Sequence, residues 1–114
     1  MSLVFVFNAS SAFYHQALDF VHKIAHPSTY NCRLCQITHG NIGKKKEWKL
    51  FEDNLRTEIA YYHKDEFVQR YPKFSQVDFP AILFEENVVF TARDMEDWSL
   101  EDLKKAISKL TKSP

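Results

Sequence analysis

Apolar positions fall into runs of two kinds, and their alternation along the chain predicts its architecture. Leu3, Val4, Phe5, Val6 and Phe7 are five consecutive apolar residues rich in β-formers, the pattern of a central strand covered on both faces. After Asn8, Ala9, Ser10 and Ser11, which offer turn and N-cap groups, the period changes: Phe13, Ala17, Phe20, Val21 and Ile24 recur at helical spacing. This helix is expected to end by His26, because Pro27 disfavours helical backbone at the residue before it. Helical spacing resumes over 44–55 with Trp48, Phe51 and Leu55 inward, leaving the lysines, Glu52 and Asp53 toward solvent.

Positions 57–63, with Ile59, Ala60, Tyr61 and Tyr62, predict a second strand, and 64–71 a short helix closed by Pro72. Two apolar strands follow, 81–84 and 88–91. The three residues between them, Glu85, Glu86 and Asn87, suit an antiparallel hairpin. Ser99 and Asp102 have capping-box spacing, and Leu100, Leu103, Ile107 and Leu110 give the buried stripe of a terminal helix. The order of elements predicts one α/β layered domain over 1–114, with an inserted loop at about 27–43 that contains both cysteines.

Composition narrows the class of protein. A chain of 114 residues has room for one hydrophobic core, and ten phenylalanines, five tyrosines and two tryptophans supply bulky material for it. Lysine plus arginine equals aspartate plus glutamate at 15 each, so no global field favours nucleic acid or an anionic membrane. The longest apolar run is five residues against the roughly 20 of a membrane helix, and no basic segment leads an apolar one toward a cleavage site. These features predict a cytoplasmic protein, monomeric or a small homo-oligomer, with a protein or thiol partner rather than nucleic acid or membrane.

The succession of a β-α-β half, a β-hairpin and a terminal helix resembles the thioredoxin-like fold. Pro80, in the segment Val77-Asp78-Phe79-Pro80-Ala81-Ile82-Leu83, matches that family's cis-proline strand. The resemblance implies a central four-stranded mixed sheet with helices on both faces. Tyr30, Cys32, Leu34, Cys35, Lys46, Glu47 and Trp48 are also similar to a small, mostly bacterial family with a Tyr-x-Cys-x-Leu-Cys segment, which brings no activity with it.

Chemistry concentrates at 30–43, which holds both cysteines, both glycines and His39. Three readings fit the Cys32-Arg33-Leu34-Cys35 segment. The first is thiol-disulfide exchange, with Cys32 as attacking and Cys35 as resolving thiol: the spacing suits a helix start, Arg33 adds positive charge, and Thr29 or Asn31 can cap. In the thioredoxin-like fold, however, the redox pair follows the first strand directly. The matching positions, 8–13, contain no cysteine. A helix of about 14 residues then puts Cys32 on the order of 20 Å from that pocket unless the loop folds back.

The second reading is zinc, held by His22, His26, Cys32 and Cys35 with His39 in reserve, a tetrahedral nitrogen and sulfur set. Its five-residue spacer is not diagnostic, and Pro27 pulls His26 off the helix. The third is purely structural: cysteines are among the most buried residue types, and Cys32, Leu34 and Cys35 can pack the loop as small hydrophobes. With the usual pocket free of thiols, the fold also fits a noncatalytic binding module. No cofactor is called for. Gly40-x-x-Gly43-Lys44 is too short for a phosphate loop and lacks the following Ser or Thr.

Overall fold

The structure, a computed structural model, describes residues 3–8, 32–40 and 43–111. The helix expected before Pro27 lies outside the described residues, as do His15, His22 and His26. Within them the chain runs β1 (Leu3–Phe7), α1 (Arg33–Thr38), the two-residue strands β2 (His39–Gly40) and β3 (Gly43–Lys44), then α2 (Lys46–Asp53) and β4 (Ile59–His63). After these come α3 (Lys64–Arg70), a 3₁₀ turn (Pro72–Phe74), β5 (Ala81–Phe84), β6 (Asn87–Phe90), α4 (Ala92–Met95) and α5 (Leu100–Thr111).

The four longer strands form one mixed sheet in the order β4-β1-β5-β6. β1 runs parallel to β4, with Leu3 opposite Ile59 and Phe7 opposite His63, and antiparallel to β5, with Leu3 opposite Phe84. Its unbroken apolar sequence follows from this central position, since both of its faces are covered. Leu3, Phe5 and Phe7 point to one face, where they pack with Leu34, Ile37, Trp48, Met95, Leu103 and Ile107. Val6 points to the other, against Phe67, Ala81 and Leu83, with Phe74 and Phe79 at the margin. Helices α1, α2, α4 and α5 therefore cover one side, while α3 and the 3₁₀ turn cover the other. Among the described residues no helix is long and apolar enough to cross a membrane.

Several boundaries differ from expectation for local reasons. The hairpin between β5 and β6 has a two-residue turn, not three, with Glu85 and Glu86 both at positive φ (51° and 70°). Right-handed strand twist favours a turn of this kind, and here it outweighs the cost of placing two glutamates in left-handed backbone. Asn87, read as part of the loop, instead begins β6 and donates from Nδ2 to Glu85 O at 3.2 Å. Helix α4 was not anticipated, although Thr91 and Asp94 form a capping box at its start. The box at α5 is as expected: Asp102 N–H donates to Ser99 Oγ, and Ser99 N–H donates to the Asp102 carboxylate. Those bonds from Ser99 hold the Asp102 carboxyl below its usual range.

Candidate functional site

The short helix α1 carries the Cys-x-x-Cys segment and lies against the sheet face that bears Phe5 and Phe7. Its cap is neither Thr29 nor Asn31 but Cys32, whose sulfur accepts the Cys35 N–H at 3.3 Å. Sulfur can take the capping role because a cysteine side chain is as short as that of serine and its acceptor reaches the same N3 donor. Leu34 and Ile37, on the inner side of the helix, anchor it in the core.

Cys32 and Cys35 are joined as a disulfide, with their Cα atoms 5.3 Å apart. Cys32 is fully buried and Cys35 retains 8% of its surface. They are thus a covalent pair rather than two separate small hydrophobes, though they do pack the helix onto the core.

The expected displacement of Cys32 from the end of β1 does not occur. Asn8, the residue after β1, donates its backbone N–H to Cys32 Sγ at 3.4 Å. Cys32 therefore lies against the residue that follows β1, the position where the usual redox pair was expected and no cysteine stands in sequence. Helical rise cannot fix where a segment's ends lie once the chain between them is free to double back.

Arg33 and Gln36 of α1 line a cleft of about 410 Å³ together with Pro80, Ala92, Arg93 and Glu96. The Phe79–Pro80 peptide is cis, as the resemblance implies for Pro80. Arg33 does not aim its charge at the sulfurs: its Nε donates to Trp98 O at 2.9 Å and its Nη1 to Gln36 Oε1 at 3.2 Å. This guanidinium ties α1 to the segment that leads into α5.

At the other end of α1 stands His39, the reserve ligand of the zinc reading. Its ring instead packs edge-on to Phe7 and Tyr61, at 5.4 and 6.2 Å between centroids. Thr38 Oγ1 donates to Leu34 O, so its contact with His39 Nδ1 at 2.8 Å is made by a proton on that nitrogen. Burial, helped by nearby Lys44, lowers the His39 pKa to about 4, with Glu52 opposing.

Glu52 also departs from expectation. It does not face open solvent: only 16% of its side chain is exposed, and it accepts the Tyr61 hydroxyl and the Lys44 ammonium, the latter at 2.6 Å. Trp48 Nε1 donates to the same Tyr61 oxygen at 3.0 Å. Burial, reinforced by that carboxylate, pushes the Tyr61 phenol above its ordinary range.

For the zinc reading, a disulfide sulfur is not the thiolate that zinc takes, and His22 and His26 lie outside the described residues. Among the described residues no group of three or more His, Cys, Asp or Glu side chains is placed to hold a metal ion. Asn8, Arg93 and Glu96 acquire their places through the sheet and α4. The Thr91-x-x-Asp94 spacing was the signal that could have revealed α4.

Compared with known family models, curated proteins and solved structures, the chain matches none.

Proposed function

We propose that this is a thioredoxin-like, cytoplasmic thiol-disulfide exchange protein acting through Cys32 and Cys35 on a protein or small-molecule thiol partner. The observation that carries the reading is the 3.4 Å contact between Asn8 N–H and Cys32 Sγ, which sets the pair at the carboxyl end of the central strand. The strand order β4-β1-β5-β6, its one parallel and two antiparallel pairings, and Pro80 opening the third long strand support the fold assignment.

The chemistry follows from the donors around one sulfur. Two backbone N–H groups point at Cys32 Sγ, and hydrogen bonds to the charged form favour a thiolate there. In the reduced protein the Cys32 thiolate attacks a substrate disulfide, forming a mixed disulfide and expelling one substrate thiolate. Cys35, deprotonated, then attacks the Cys32 sulfur, releases the second substrate thiolate and restores the internal bond. The pair loses two electrons and the substrate disulfide gains them. Because Cys32 is fully buried, exchange requires a local opening around the sulfurs.

Equilibration in glutathione buffers, followed by acid quench, alkylation and mass measurement, tests this. The expected result is a reversible two-thiol transition with a midpoint between roughly −270 and −120 mV, the range spanned by thiol oxidoreductases and above the roughly −300 mV below which structural bridges lie. A pair that stays in one state across that range overturns the reading.

A further inference from the structure

We propose that Lys64, acting through Asn8, is a positioning residue that sets the acidity of Cys32, an inference that rests on the thiol-disulfide reading above. Parallel pairing of β1 with β4 puts Phe7 opposite His63, so the next residues, Asn8 and Lys64, leave the sheet side by side. Lys64 Nζ donates to Asn8 Oδ1 at 3.0 Å, and Asn8 donates its own N–H to Cys32 Sγ at 3.4 Å. An ammonium is thereby fixed two hydrogen bonds from the sulfur, across 56 residues of sequence.

Of the charged groups on the flanking elements, Arg93 and Glu96 line the cleft that Arg33 also lines, and the following are committed to other partners. Arg33 on α1 is turned to Trp98 O and Gln36. On α3, Asp65 accepts the Glu66 N–H, and Glu66 accepts the His63 N–H, so both carboxylates serve the start of their own helix. His63 itself ends β4, opposite Phe7.

A thiolate gains more than a disulfide sulfur from a fixed N–H donor and a nearby positive charge. Lys64 therefore favours the reduced, ionised form of Cys32, making it the more acidic thiol and the better leaving group. Removing the ammonium raises the Cys32 pKa and makes the disulfide harder to reduce.

The test is a pH titration of thiolate absorbance in the reduced protein, paired with the glutathione equilibrium. Lys64→Met is expected to leave about threefold less thiolate below the pKa, an effect of order half a pKa unit. Asn8→Ala, which unhooks the ammonium but keeps the backbone N–H, shifts the titration the same way. The double variant adds little to either single change, and Lys64→Arg restores most of the parent value. In about 1 M salt, where screening acts within roughly 3 Å, the difference between parent and Lys64→Met shrinks.

Parent-like titration in both Lys64→Met and Asn8→Ala, with circular dichroism unchanged, overturns the inference while leaving exchange itself intact. Should a variant lose its fold, the salt dependence of the parent thiolate titration decides: a flat response overturns the inference. A shifted titration in a protein that never exchanges with glutathione upholds Lys64's role and removes the exchange reading instead.

Discussion

At its N-terminal end α1 holds a sulfur that accepts two backbone N–H groups. At its C-terminal end His39 rests on Phe7 and Tyr61 beside the Tyr61, Glu52 and Lys44 network. Both ends press polar atoms against the apolar face that carries Phe5 and Phe7, but they satisfy them differently. The sulfur end sets two backbone N–H donors on one sulfur of a covalent pair. The network end pairs a carboxylate with an ammonium and a phenol in a half-buried place, where removing one partner leaves another unsatisfied. On the thiol-disulfide reading proposed above, one end is suited to change and the other to hold the helix still.

The largest way to break this contrast is at Trp48, fully buried against Phe5 with ring centroids 5.7 Å apart. Trp48→Ala is expected to destabilise the fold by about 3–5 kcal/mol in denaturant titration, through the cavity and the lost donor to Tyr61. Tyr61→Phe comes next. It preserves the ring but leaves Trp48 Nε1 and one Glu52 oxygen without their partner, for a loss of about 2 kcal/mol.

Reducing the disulfide is expected to cost less, about 1.5 kcal/mol, because it closes a very short loop. The same denaturant titration with and without reductant measures this. A larger loss than that of Tyr61→Phe would reverse the comparison and mark the sulfur end as the structural one.

The smallest effect is expected from pH. His39 has a folded pKa of about 4 against an unfolded value of 6.5, so the unfolded chain binds more protons between these values. Stability from the neutral ring is complete above pH 6.5 and is lost as pH falls toward 4. His39 keeps some contact with solvent, so the effect is discounted to about 1 kcal/mol. Chemical denaturation at pH 7 and pH 4.5 for parent and His39→Gln checks it: the parent should lose more than the variant.

The sheet was legible because its strands declare their surroundings. Five unbroken apolar residues at the start can only be satisfied in a covered, central place, and the period-shifted stripe Leu100, Leu103, Ile107 and Leu110 has one inward face. The candidate site was half legible. Cys32 and Cys35 stood out by spacing, and Pro80 by its position before a strand, but their relation did not. Glu52 was misplaced because helical spacing assigns a face, not the hydroxyl or ammonium that a neighbouring element brings to it.

What the sequence determined by itself is local: where unbroken apolar runs give way to helical spacing, which groups cap α5, and which segment concentrates the chemistry. Only the tertiary structure decided that Cys32 lies against Asn8, that Lys64 reaches Asn8 from the start of α3, and that Arg33 faces Trp98. These contacts span 24, 56 and 65 residues. Each depends on how sheet pairing and the common core bring distant elements together. Such closeness is settled by the burial of the whole apolar surface rather than by the residues on either side of the contact.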